Sequence, residues 1–175
     1  MQAPAPDPMG ALKFALQLEH NGRAFYMRVA AATKDPMGKK IFRQLAREET
    51  DHKRLLETEL ARVRAARVRE PEPPEGATDP DAAVAASGIF PALRDAWQIA
   101  EGAGDADALR VAVASEANAT AFYSRMAQES PEAETRAMYE QLAEMEEEHR
   151  KLLQWELDYV LGDGHWCDIA QFDME

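Results

Sequence analysis

The chain contains two copies of one helical segment, separated by a constant offset of 97 residues. EHNGRAFYMRVA, which begins at Glu19, matches EANATAFYSRMA, which begins at Glu116. QLAREETDHKRLLETEL, which begins at Gln44, matches QLAEMEEEHRKLLQWEL, which begins at Gln141, with 9 of 17 positions identical. Because both matches share one offset and need no gap, the chain is predicted to fold as two equivalent units.

Apolar residues within each copy recur at the three- and four-residue steps of an amphipathic helix. Asp35 is predicted to be the N-cap of a helix with Pro36 at its first position, and Asp105 the cap of a later one. Gly162 is predicted to end the last helix. The predicted long helices are 9–32, 36–68, 105–128 and about 130–161. With no strand pattern, this predicts an all-α four-helix bundle of two antiparallel hairpins.

The remaining segments are predicted to lie outside the helical hairpins. The first eight residues contain three prolines and are predicted to be a flexible arm. A proline-rich linker is expected to join the hairpins, either as a crossover within one chain or with exchange of one hairpin between two chains. A short helix is expected after the linker, and the tail is expected to pack on the bundle. These predicted segments are the arm at 1–8, the bundle at 9–161, the linker at 69–88, the short helix at about 89–100 and the tail at 162–175.

Four polar residues of the repeat lie on faces that should point into the bundle. Residues three or seven apart share one helix face, so each Glu-x2-His pair points the same way and each tyrosine lies two turns beyond a glutamate. Packing four helices then gathers four carboxylates and two imidazoles. The repeated residues are Glu19 and Glu116, Tyr26 and Tyr123, Glu49 and Glu146, and His52 and His149.

Buried carboxylates repel one another and lose hydration, so a cluster of four needs compensating positive charge. Two divalent cations balance four carboxylates. Oxygen-rich ligation with one imidazole per metal suits iron or manganese better than a zinc thiolate site. The duplication therefore predicts a two-metal centre with Glu19, Glu49, His52, Glu116, Glu146 and His149 as ligands.

Composition limits the other classes of function. The 175 residues favour one domain, and a net charge of -12 argues against a nucleic-acid-binding surface. Cys167 is the only cysteine, which excludes an internal disulfide and a four-cysteine metal site within these residues. Without a long apolar run or a signal-peptide pattern, we expect no membrane span and a cytoplasmic location.

The repeated Glu-x6-Tyr and Glu-x2-His motifs, separated by 22 residues in both copies, resemble the rubrerythrin branch of the ferritin-like superfamily. The resemblance covers about residues 10–161 and implies a ferritin-like bundle with two iron ions, manganese or mixed metals being alternatives. Glu49 and Glu146 would bridge the metals, and Glu19 and Glu116 would be terminal ligands. His52 and His149 would each bind one metal. Tyr26 and Tyr123 would donate hydrogen bonds to the ligand carboxylates.

The same resemblance implies a diiron peroxidase or oxidase that reduces hydrogen peroxide or dioxygen. Rubrerythrins commonly contain a four-cysteine rubredoxin module, so here a separate electron donor, such as a rubredoxin-type protein, is expected. A homodimer is also expected. Ala119 departs from the family, because rubrerythrins commonly carry a further carboxylate at that position.

Two other functions fit the same sequence. One is a ferroxidase that stores iron or delivers it to a partner, and the other is a metal-free helical interaction module. His165 and Cys167 lie close together near the C-terminus and are interpreted as part of a packed aromatic segment.

Overall fold

The fold is a bundle of four long helices. The computed structural model describes residues 8–67 and 104–167, and no strand occurs among them. The first and second helices pack against each other, as do the third and fourth, and the second also contacts the fourth. The helices are α1 (Pro8–Ala32), α2 (Pro36–Arg67), α3 (Asp105–Glu129) and α4 (Ala133–Asp163).

This architecture confirms the predicted all-α four-helix bundle. Three residues join α1 to α2 and three join α3 to α4, so each pair is an antiparallel hairpin. Of the residues predicted to form the arm, Pro8 is the first residue of α1. Residues 1–7, the predicted linker and short helix, and residues 168–175 lie outside the described residues. None of the four helices carries an apolar stretch long enough to cross a membrane.

The helix ends follow local chemistry, with two corrections. Asp35 caps α2 as predicted, because its Oδ1 accepts the backbone N–H groups of Met37 at 2.7 Å and Gly38 at 3.1 Å. The prediction of Asp105 as a cap was wrong. Gly104 is the N-cap of α3, and Asp105 is its first residue. The Asp105 carboxylate instead accepts the indole N–H of Trp166 at 2.8 Å.

The fourth helix ends two residues later than predicted. Gly162 remains helical, and the C-cap is Gly164, with φ of 73°. That left-handed conformation suits glycine because it has no Cβ. The backbone N–H of Gly164 then bonds to the carbonyl of Val160 at 3.1 Å.

Equivalent residues in the two copies of the sequence repeat pack in the same way. Tyr26 stacks on Phe42 with ring centroids 6.1 Å apart, and the equivalent Tyr123 stacks on Tyr139 at 6.0 Å. All four rings are buried. The two hairpins therefore place their tyrosines in equivalent surroundings.

Trp166, from the segment after α4, fills a gap that the repeat leaves at the start of α2. Gly38 is the equivalent of Thr135, and its missing side chain makes room for the indole. A Cβ at Gly38 would lie 2.5 Å from Cε2 of Trp166 and 2.8 Å from Cγ2 of Thr33. Trp166 also packs edge-on against Phe42, with centroids 5.5 Å apart.

We expect Gly38→Ala to destabilise the protein by about 1–3 kcal/mol, because the new methyl group overpacks the site of Trp166. The measurement is urea unfolding followed by circular dichroism. Gly162→Ala is the matched control, since it is also a helical glycine and nothing lies within 4 Å of its added Cβ. The control should be neutral or more stable by up to about 1 kcal/mol. Equal stability of the two variants would contradict the packing role of Gly38.

Candidate metal centre

The structure brings all six predicted ligand residues together in the middle of the bundle. Glu19 comes from α1, Glu49 and His52 from α2, Glu116 from α3, and Glu146 and His149 from α4. All six are buried, and His149 is the most exposed at 7%. Every helix therefore contributes to one cluster.

The six residues form two overlapping groups of four. Glu19, Glu49, His52 and Glu146 form one, and Glu49, Glu116, Glu146 and His149 form the other. Within each group, one ligand atom from each residue lies within 4.8 Å of the others. Glu49 and Glu146 belong to both groups. This is the arrangement expected of two neighbouring metal positions that share two carboxylates.

The histidine rings direct Nδ1 towards the carboxylates. His52 Nδ1 lies 3.2 Å from Oε2 of Glu19 and 3.1 Å from Oε1 of Glu146. His149 Nδ1 lies 3.3 Å from Oε2 of Glu146 and 3.7 Å from Oε1 of Glu116. The two rings stack with centroids 5.2 Å apart. Both imidazoles thus present a nitrogen to Glu146, one to each of its carboxylate oxygens.

The tyrosines connect the two hairpins across the centre. Tyr26 on α1 donates a hydrogen bond to Oε1 of Glu116 on α3. Tyr123 on α3 donates one to Oε1 of Glu19 on α1. Each tyrosine therefore supports the carboxylate of the opposite hairpin, so the two interactions are reciprocal.

Burial and mutual repulsion perturb the pKa values of the carboxyl groups. Burial raises the pKa of Glu49 well above its ordinary value, and the charges of Glu19 and Glu146 add to this. Burial, followed by the charge of Glu146, raises the pKa of Glu116 to about 8. Burial also acts to raise the pKa of Glu146, but interactions with His149 and His52 outweigh it and lower the pKa below its ordinary value.

The pKa values of the two imidazoles rise, which favours their charged forms and offsets the negative charge of these carboxylates. Burial alone would lower the pKa of His52, but its hydrogen bonds to Glu146 and Glu19 raise it to about 10. Burial acts in the same way on His149, and interactions with Glu116 and Glu146 raise its pKa well above the ordinary value. Without a metal, protons therefore neutralise part of the cluster's negative charge.

The donor set fits divalent metal ions. Several buried ligand atoms have no hydrogen-bond partner among the described residues: Glu49 Oε1, Glu116 Oε2, Glu146 Oε2 and His149 Nδ1. Leaving such atoms buried and unpaired is costly. Carboxylate oxygens and imidazole nitrogens are ligands of iron and manganese, which would satisfy these atoms.

Comparisons with known proteins agree with this geometry. The rubrerythrin family model matches residues 11–89, which include Glu19, Glu49 and His52. Residues 11–89 are therefore similar to the rubrerythrin family. Its fold resembles that of a hypothetical protein from Pyrococcus furiosus, with a TM-score of 0.63 and 22% identity over 91% of this chain and 94% of that one. A search of curated proteins found no match.

The departure at Ala119 leaves the centre without a further carboxylate at that position. Ala119 lies one turn after Glu116, and Gly22 is its equivalent after Glu19. Both residues are buried, and neither supplies a ligand atom. Among the described residues, the carboxylates of the centre are therefore limited to two from each hairpin.

Sequence reasoning missed Glu48, which precedes the predicted ligand Glu49. Its Oε2 lies 3.0 Å from Nε2 of His149, on the side of the ring that faces away from the cluster. Burial acts to raise the pKa of Glu48, but the interactions with His149 and Gln44 together outweigh it and lower the pKa. The adjacent acidic pair was visible in the sequence, but the contact depends on how α2 packs against α4.

The pKa shifts predict how the stability of the metal-free protein depends on pH. Glu116 and His52 have raised pKa values in the folded state, so their stabilisation is complete below their unfolded values. It is lost as pH rises through about 8 for Glu116 and about 10 for His52. Glu146, whose pKa is lowered, stays ionised above pH ~5 in both states and adds no dependence there.

We therefore expect the melting temperature of the chelator-treated protein to fall between about pH 6.5 and 10. Divalent metal should reduce that fall, because metal replaces the bound protons and binds more tightly as pH rises. Thermal unfolding at several pH values, with and without Mn²⁺, measures both effects. A melting temperature that rises across this range without metal would contradict the assignment.

Proposed function

We propose that the protein is a non-haem diiron oxidoreductase that reduces hydrogen peroxide with electrons from a separate donor. The observation that supports this most directly is the sharing of Glu49 and Glu146 between two buried ligand groups. Four carboxylates and two imidazoles match the charge and ligand preference of two ferrous ions. The rubrerythrin-like sequence of residues 11–89 supports the same choice.

The chain's own residues would hold and position the irons. Glu49 and Glu146 would bridge them, Glu19 and His52 would complete one position, and Glu116 and His149 the other. Tyr26 and Tyr123 would hold the terminal carboxylates in place through their crossed hydrogen bonds. When bound, the irons would supply redox and Lewis-acid chemistry.

The overall reaction needs two electrons and two protons to convert one peroxide into two waters. Burial raises the pKa values of Tyr26 and Tyr123, so both hydroxyl groups remain protonated donors at neutral pH. Cys167 is the only cysteine in the 175 residues, which supports an electron donor outside them. A rubredoxin-type protein would serve, and the proposal includes a homodimer.

Anaerobic loading with Fe²⁺, followed by peroxide, tests the proposal. We expect two irons per chain, oxidation of two Fe²⁺ by each peroxide, and repeated turnover with a reduced rubredoxin-type donor. Iron analysis, stopped-flow absorbance and donor oxidation provide the measurements. Slow oxidation, or oxidation without turnover, would contradict peroxidase activity. A very large shell that accumulates iron beyond two per chain would instead favour the storage alternative.

We expect Glu49→Gln and Glu146→Gln each to abolish stoichiometric iron binding, because each removes a charge shared by both positions. Glu148→Gln is the control, since Glu148 lies on α4 near Glu146 but is 72% exposed and pairs with Lys151. Metal analysis of the purified, folded variants measures the effect. Retention of two irons by both site variants would contradict this ligand assignment. A wild type that binds no iron, with stability unchanged in both variants, would favour the metal-free interaction module.

A further inference from the structure

The two copies of the repeat differ at a position next to a predicted metal ligand. Glu48 precedes the shared ligand Glu49 in the first copy, and Met145 precedes Glu146 in the second. Glu48 is held on both oxygens: Oε2 lies 3.0 Å from Nε2 of His149, and Oε1 accepts a hydrogen bond from Gln44 at 3.0 Å. Its side chain is 24% exposed, so it is partly shielded from water.

The other imidazole lacks such a partner. His52 Nε2 is buried and has no hydrogen-bond partner among the described residues. Met145 is the equivalent of Glu48 in the repeat, and the crossed tyrosine bonds relate the two hairpins reciprocally. The repeat therefore predicts that position 145 faces His52 as Glu48 faces His149. Met145 is half-buried, and its thioether is only a weak acceptor.

This difference affects the nitrogen that faces the metals. A carboxylate that accepts a hydrogen bond from Nε2–H fixes the tautomer of the ring. This leaves the Nδ1 lone pair free to bind a metal and increases the basicity of Nδ1. His149 receives this support from Glu48, whereas His52 does not. Loss of such a partner typically weakens metal binding about 10- to 100-fold.

We propose that the two metal positions are inequivalent, and that the position completed by His149 binds its ion more tightly because Glu48 orients that ring. The inference rests on the proposed two-metal centre. It gives Glu48 a positioning role and identifies the position completed by His52 as the one that binds its ion more weakly. Met145 is the residue that creates the difference between the halves.

Equilibrium titration with Mn²⁺ under anaerobic conditions tests this without measuring activity. The wild type should show two affinity classes, and Glu48→Gln should weaken the tighter class about 10- to 100-fold while changing the other little. Glu147→Gln is the matched control, because Glu147 is 32% exposed, carries the same charge and pairs with Arg150 at 2.7 Å. The control should leave both classes unchanged. Circular dichroism checks that each variant is folded.

An exchange of the two residues gives the sharper test. In Glu48→Met/Met145→Glu the composition and charge are unchanged, and the carboxylate should now support His52. In the wild type, His149→Ala should remove the tighter class and His52→Ala the weaker one. In the exchanged protein, His52→Ala should remove the tighter class.

Distinct results separate failure of the inference from failure of the proposed function. Two ions bound with equal affinity, or equal losses from Glu48→Gln and Glu147→Gln, would overturn the inequivalence alone. The inequivalence would also be overturned if, in the exchanged protein, His149→Ala still removed the tighter class and His52→Ala the weaker one. Absence of metal binding in the wild type would overturn both the inference and the two-metal centre.

Discussion

The burial of six ionisable side chains at the centre of the bundle is the constraint on which the rest of the structure depends. Four carboxylates without hydration repel one another, and the cluster must contain compensating positive charge. The imidazoles of His52 and His149 and the protons held by Glu49 and Glu116 supply part of it. Divalent metal ions would supply it with better geometry, since they satisfy oxygen atoms that otherwise have no partner.

Hydrogen bonds around the cluster limit how its members can move. The hydroxyl groups of Tyr26 and Tyr123 each connect one hairpin to a carboxylate of the other. Their rings are in turn fixed by stacking on Phe42 and Tyr139. The aromatic packing of the core therefore also fixes the orientation of the carboxylates at the centre. Displacing a tyrosine ring would displace the carboxylate that accepts its hydrogen bond.

Much of this arrangement could be predicted from the sequence, because duplication separates constrained polar residues from incidental ones. Glu19, Glu49 and His52 recur 97 residues later, and a helical period alone places them on inward faces. The cap at Asp35 followed from its side-chain chemistry and from Pro36. These features depend on residues close together in sequence or on the repeat itself.

The features that sequence reasoning missed depend on contacts between segments far apart in the chain. Trp166 accounts for both Gly38 and the displaced cap at Asp105, and no local pattern reports that packing. No local pattern distinguishes Glu48 from the other acidic residues of α2, because its contact with His149 depends on the packing of α4. Glu59 and Glu156 are likewise repeated and buried, yet only the structure shows that one binds Arg62 and the other the backbone of Cys167.

The crossed tyrosine bonds also bear on the origin of the chain. Each hairpin carries three of the six predicted ligand residues and one tyrosine whose acceptor lies on the other hairpin, so one hairpin alone cannot complete the cluster. Two identical hairpins, paired as a symmetric dimer, would contain every group that is needed. Gene duplication and fusion of such an ancestor would preserve the chemistry while releasing the halves from identity. Met145 is the equivalent of Glu48 in the second copy. In a symmetric dimer of identical hairpins, both copies of this position would have to carry the same residue.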